Sequence, residues 1–180
     1  FLEHIARAKH FIYAESQYFA SRSIAEAIAG RLSEADPPEI FIVTSSIADG
    51  WLAQTAMDNA RVRLLHALQE KDHAGRFHFY VPVTSVGTGI YVHAKLMIVD
   101  DEVLRVGSAN MNNRSMGLDT EADIFLDARR PANRHIVPAI TRLRHGMLAE
   151  HCGIEPKAVA RLIGIHGSMA AAVDASREAS

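Results

Sequence analysis

Cysteine is almost absent from this 180-residue chain, and its only copy, Cys152, cannot close an internal disulfide. A cross-linked framework is therefore excluded, and nothing in the sequence asks for an oxidising compartment. No apolar run approaches the roughly 18 residues of a membrane-crossing helix, and no leader pattern opens the sequence. Neither sign of charge dominates: 19 Lys and Arg face 21 Asp and Glu, a formal net charge of -2. The surface as a whole is thus not built to attract nucleic acid. Internal repeats, low-complexity tracts and linkers are missing as well. What is present, 48% hydrophobic and 22% charged residues, matches one globular domain with a sizeable core. The chain starts at Phe1 and runs directly into an amphipathic pattern, so the expectation is a piece of a longer protein, cytoplasmic or peripheral at a membrane.

Hydrophobic periodicity alternates between two types. Leu2, Ile5 and Lys9 sketch a first helical face, and FIYAESQYF at 11–19 reads as a strand. Ser23-Ile24-Ala25-Glu26 fits a capping box opening a helix with Ile24, Ile28 and Leu32 on one side. Asp36-Pro37-Pro38 breaks it, and EIFIVTS at 39–45 reads as a strand buried on both faces. Ala53, Met57, Ala60, Leu64 and Ala67 recur at helical spacing over 51–70. Segments 76–83, 103–106 and 121–128 read as further strands, with a turn at Gly87-Thr88-Gly89. Ile136, Ile140, Leu143 and Met147 mark a long late helix. The pattern predicts an α/β fold, a mixed and mostly buried β-sheet flanked by helices, over residues 1–165. Residues 166–180, small and polar, are expected to be a frayed helix or a disordered tail.

One stretch conflicts with its surroundings. YVHAKLMIVD at 91–100 reads as a buried strand, yet it carries a histidine and a lysine two residues apart. Alternation puts His93 and Lys95 on one face, with Val92, Ala94, Leu96 and Ile98 on the other and Asp100 closing the strand on that second parity. A desolvated cation needs a partner, and an anion from outside the chain is the simplest one. Downstream, a turn at Gly107 exposes Ser108 and Asn110, two short hydrogen-bond donors. Glu121 then offers a carboxylate able to fix an imidazole tautomer. Imidazole, ammonium, hydroxyl and carboxamide together describe a pocket for a phosphate, in which donors neutralise the oxygens and the histidine does covalent or acid/base work. This donor set needs neither metal nor cofactor.

His-x-Lys-x4-Asp followed by Gly-Ser-x-Asn resembles the HKD signature of the phospholipase D superfamily. The likeness extends to FIYAESQYF, which is similar to the Tyr-Ile-Glu-Asn-Gln-Tyr-Phe stretch preceding the second motif of two-motif members. RVGSANMNNRSMGLDTEADI is similar to the run that follows it in bacterial phospholipase D or transphosphatidylase-like proteins. The resemblance implies His93 as a catalytic histidine, Lys95, Ser108 and Asn110 as phosphate contacts, Glu121 as the group orienting His93, and Asp100 as support. Glu15 and Gln17, with Gly107, would shape the site from nearby. Ser16 stands where the family usually has Asn. The family site needs two facing motifs, and this sequence holds a single His-x-Lys pair of that kind. Its flanks resemble the second motif, whose histidine would be the general acid and later the base, through a phosphohistidine on the first.

The resemblance implies a half-domain of a phosphodiesterase or phosphatidyltransferase acting on a phospholipid, partnered by the N-terminal half of its parent chain and in peripheral contact with a membrane. One alternative is an endonuclease-like member completed by a second copy as a homodimer. Another is a non-catalytic half-domain that scaffolds or binds lipid headgroups. The other nine histidines show no metal-ligand spacing and read as surface or structural residues. Asn112, Asn113 and Arg114 read as caps of a short helix, Arg129, Arg130 and Arg134 as a solvated helix start, and Trp51 as an anchor for its own helix.

Overall fold

The structure is a computed structural model describing residues 1–45 and 51–178; of residues 51–60 it describes the helix and not the side chains. The elements are α1 (Leu2–Arg7), β1 (Phe11–Ser16), β2 (Phe19–Ala20), α2 (Arg22–Leu32), β3 (Glu39–Thr44), α3 (Trp51–Lys71), β4 (Phe77–Tyr80) and β5 (Lys95–Val99). They continue as β6 (Val103–Gly107), β7 (Met111–Asn112), α4 (Asn113–Gly117), β8 (Asp123–Asp127), a 3-10 helix (Pro131–Ile136), α5 (Val137–Cys152), α6 (Pro156–His166) and α7 (Met169–Glu178). Six strands form one mixed sheet in the order β4-β3-β1-β5-β6-β8. β4, β3 and β1 are parallel, because α2 and α3 carry the chain back between them. β5, β6 and β8 join antiparallel. This is the expected α/β architecture.

Period-2 alternation sends the sheet's side chains into two cores. Ile12, Ala14, Ile40, Ile42, Met97 and Val99 pack with Ile24, Ile28, Leu32 and Leu68 of α2 and α3. Tyr13, Phe41, Val43, Leu96 and Ile98 pack with Ile140, Leu148, Val159 and Met169 of the C-terminal helices. Every residue of β3 is buried, as its unbroken apolar run requires.

The tight turn between β5 and β6 is built by two aspartates in the left-handed region, Asp100 (φ 54) and Asp101 (φ 53), a conformation that Asp tolerates better than most residues. The Asp100 carboxylate accepts hydrogen bonds from the backbone N–H groups of Lys9, His10 and Phe11, fastening the entry of β1. Asp101 forms a bidentate pair with Arg144 of α5 at 2.8 and 2.7 Å, and Thr141 Oγ1 donates to it as well. Both partners of that pair are buried, so removing either strands the other, at roughly 3–5 kcal/mol.

Several local expectations change. His93 precedes β5, which begins only at Lys95. The His/Lys parity is not polar along its length: Met97 and Val99, on the parity of Lys95, are buried against the helices. The polar character belongs to the end of the strand, not to its side. Helix α2 is capped by Ser21, whose Oγ accepts from Ile24 N, in place of the box at Ser23. The β2–β7 contact holds Ser21 N on Met111 O and so settles which serine caps, leaving Glu26 to pair with Arg22. Leu68, not Ala67, carries α3 into the core with Leu64 and Leu65; Ala53, Met57, Ala60 and the Trp51 anchor lie outside the described residues.

The largest correction is at the C-terminus. Residues 166–178 are not a frayed end: α7 is a formed helix with Met169, Ala170, Ala172 and Ser176 buried. The small residues let it lie close to its neighbours. Its first turn is held by the buried Glu39, whose carboxylate accepts from Ser168 Oγ, Met169 N and Ala170 N. Helix α6, absent from the sequence reading, completes that layer.

Candidate functional site

Strand direction gathers the candidate residues. β1 runs out at Ser16, opposite Lys95, where β5 enters; β6 runs out at Gly107, opposite Asp123, where β8 enters. Gln17, His93, Lys95, Ser108, Asn110 and Glu121 therefore all lie beyond the same end of the sheet. Asp100 lies at the other end of β5, about 16 Å away at the usual rise per residue.

Lys95 Nζ donates to the carbonyl oxygen of His93 (2.8 Å) and to Gln17 Oε1 (3.3 Å). Gln17 Nε2 in turn donates to Tyr18 Oη (2.8 Å) and to the Tyr91 hydroxyl. Burial pushes the Lys95 ammonium below its ordinary value, and the negative charge of Glu121 opposes that shift. The ammonium is thus positioned, partly desolvated, and bonded among the described residues only to neutral oxygens, which leaves it ready for an anion. His93 is exposed, its ring stacked beside that of Tyr91 with centroids 6.0 Å apart and planes 14° from parallel. Tyr91 was not singled out from the sequence, although its position two residues before His93 on the same parity was available as a signal.

The Gly107 neighbourhood is tight for a reason other than a turn. A Cβ at Gly107 would lie 1.8 Å from Asp123 Oδ1 and 2.6 Å from the Ala122 carbonyl oxygen. Only glycine permits that approach, and it keeps Asp123 bonded to Arg105 at 2.7 Å. Just beyond, Ser108 Oγ donates to Glu121 Oε2 at 2.5 Å and accepts from Ala122 N at 3.0 Å. Glu121 therefore serves Ser108, and among the described residues the structure does not bring it into a hydrogen bond with His93. Asn110 Oδ1 is buried without a partner among the described residues, an unsatisfied carboxamide oxygen at the edge of the site.

Two expected neighbours go elsewhere. Ser16 Oγ accepts from Met111 N (3.1 Å) and donates to the Tyr18 carbonyl oxygen (2.9 Å), tying the end of β1 to the segment after Asn110. Glu15 takes partners other than those of Gln17: the Tyr13 hydroxyl donates to its Oε1, and His151 Nε2 lies 2.9 Å from the same oxygen. That hydrogen bond holds the His151 imidazole above its ordinary value although burial opposes it. Beside them is a cavity of about 250 Å³ lined by Phe41, Val43, Tyr80, Leu148, His151 and Cys152. No sequence signal linked Glu15 to a histidine 136 positions away. Asn112 caps α4 through Ser115 N, as its reading as a helix cap supposed, and Arg114 pairs with Asp119. Arg129 is not simply solvated; it pairs with Asp127 at 2.8 Å.

Comparisons with known proteins bear on the family and the fold. Residues 1–142 match the family model described as cardiolipin synthase, phospholipase D-like domain. Phospholipase D delta of Arabidopsis thaliana is 27% identical over 213 residues, covering 85% of this chain and 24% of the relative. Phospholipase D A of Dictyostelium discoideum is 30% identical over 149 residues, covering 64% of this chain and 12% of the relative. The chain thus spans a quarter or less of the length of such relatives. Among solved structures, phosphatidylserine synthase of Haemophilus influenzae Rd KW20 superposes with a TM-score of 0.62 at 16% identity, over 83% of this chain and 34% of that one. Nuc, a phospholipase D family member from Salmonella typhimurium, gives 0.50 at 16% identity, over 77% and 80%. No described helix is long and apolar enough to cross a membrane. Fold, spacing and family match converge: the chain belongs to the phospholipase D-like domain family of the cardiolipin synthase type.

Proposed function

We propose that this chain supplies one half of a phosphodiester-processing site, the half that carries the proton-transferring histidine. The carrying observation is the gathering, at one end of the sheet, of the exposed His93 imidazole, the Lys95 ammonium and the Ser108 and Asn110 side chains. Lys95 binds a non-bridging phosphate oxygen, Asn110 donates to another phosphate oxygen through its Nδ2, and Ser108 donates to a third once its hydroxyl turns from Glu121. A second histidine, supplied by the other half of the parent chain, attacks phosphorus through its ring nitrogen. As the P–N bond forms, the P–O bond to the leaving alcohol breaks, and His93 gives that oxygen its proton. His93, now neutral, takes the proton from water or an acceptor alcohol, whose oxygen attacks phosphorus while the P–N bond breaks. Hydrolysis and transfer differ only in that acceptor, and a phospholipid is the proposed substrate. The donors neutralise the phosphate without a metal ion.

An unfinished surface supports the need for a partner. β8 is the outer strand of the sheet, and Ile124, Phe125 and Leu126 are exposed on both of its faces. It starts at the site itself, so a protein unit docked there would bring its residues beside Ser108 and Glu121. A second copy is the runner-up occupant, favoured by a fold match that covers 80% of the short Nuc chain. The test is turnover of bis(p-nitrophenyl) phosphate in EDTA by the isolated chain and by the parent. The reading expects activity in the parent alone, abolished by His93→Ala. Activity of the isolated chain would raise the two-copy reading above it, and loss on chelation restored by a divalent ion would remove the metal-free mechanism.

A further inference from the structure

We infer that the hairpin at residues 81–91 seats this chain on a lipid surface, with the candidate site facing the headgroups. Residues 77–94 contain no Asp, Glu, Lys or Arg, in a chain in which 22% of residues are charged. This uncharged segment leaves the sheet after β4 and returns at β5, at the end where His93 and Lys95 lie. Its apolar side chains turn outward: Val86 at the tip is 85% exposed and Val83 55%, with Val81, Ile90 and Tyr91 exposed behind them. Tyr91 at the base stands beside His93, so whatever the tip enters sets the height of the imidazole above it.

The backbone decides between lipid and protein. Gly87 N donates to Thr84 O (2.9 Å), Thr84 N to Thr88 O (2.8 Å), and Ile90 N to Pro82 O (2.9 Å). Thr88 N is held by Thr84 Oγ1 at 3.1 Å. With those amides already bonded within the hairpin, its entry into a low-dielectric layer leaves them paired. A protein partner reads charges and open backbone edges, which fix orientation and register. The β8 edge offers these, with Arg105, Asp123 and Asp127 around it. The hairpin offers mainly non-directional apolar area, interrupted by the uncharged Thr84, Ser85 and Thr88, under an interfacial tyrosine, which is what a bilayer surface accepts.

The experiment is co-flotation of the chain with phosphatidylcholine vesicles, read without any turnover, so its outcome is separate from that of the phosphodiesterase reading. Val86→Asp should lower vesicle partition about tenfold, whereas Leu118→Asp, at a leucine 83% exposed elsewhere, should not change it. Binding should persist at high salt, since no charge is involved. Absence of flotation by the unaltered chain, or equal flotation of both variants, overturns the inference. So does a sedimentation profile in which Val86→Asp turns a dimer into a monomer, which would make the hairpin a contact between copies. Thermal unfolding of both variants should match the unaltered chain, because Val86 and Leu118 are exposed.

Discussion

Gln17 Oε1 accepts a 3.3 Å hydrogen bond from Lys95 Nζ, across the junction where β1 ends and β5 begins. The carboxamide aims the ammonium and is itself steadied by two tyrosines, Tyr18 and Tyr91. Gln17 is, on the proposed reading, a positioning residue. Gln17→Ala should lower kcat/KM of the active parent by about tenfold, whereas Lys95→Ala should lower it about 100-fold or more. Equal losses would place Gln17 in direct contact with substrate.

On the proposed reading, His93 carries chemistry and Asp100 carries support. His93→Ala should abolish most turnover with little change in stability, since the ring is exposed. Asp100→Asn loses the acceptor serving Lys9 N, which should lower stability by about 1–3 kcal/mol while folded molecules keep their turnover. Denaturant melts with turnover per folded molecule check both, and comparable activity losses in two folded variants would mean that Asp100 acts at the site.

Gly107→Ala introduces a methyl group where Asp123 Oδ1 already lies, 1.8 Å from the new Cβ. The Asp123–Arg105 pair must shift and carry Ser108 with it. The expected result is destabilisation by about 1–3 kcal/mol together with a raised KM, read by melts and kinetics. An unchanged KM would uncouple the strand end from phosphate binding.

The Glu15–His151 contact predicts a pH dependence. The folded-state imidazole is raised above its ordinary value, so its contribution is full below the unfolded value, about 6.5, and is lost as pH rises through the folded value. The difference in Tm between the unaltered chain and His151→Asn should be largest below about pH 6.5 and shrink towards alkaline pH. His4 and His145, both lowered mainly by burial, are common to the two proteins and drop out of the difference. A gap that stays constant or widens with pH would contradict the assignment.

Much of the arrangement was legible because it is local. The parity of Val92, Ala94, Leu96 and Ile98 was read correctly, and all of them meet one core layer. The grouping of Lys95 with Ser108 and Glu121 followed from motif spacing. What was not legible depends on residues far apart in the chain. Glu39 turns a weak, alanine-rich tail into a docked helix across 129 to 131 positions. Glu15 is engaged by His151, 136 positions away, and by Tyr13. Met97 and Val99 meet the α2–α3 layer, which nothing local to their strand announces. Asp101, hidden beside the motif aspartate, gave no hint of Arg144.

The division of labour between the two histidines is tested most directly by a burst experiment on the assembled site carrying His93→Ala. Bis(p-nitrophenyl) phosphate releases a leaving group that needs no proton, so the attacking histidine can act without His93. The later activation of water cannot. The account predicts a burst of about one nitrophenolate per site followed by arrest, with phosphohistidine accumulating on the other half. Absence of any burst from a folded, assembled variant would contradict it and make His93 the nucleophile.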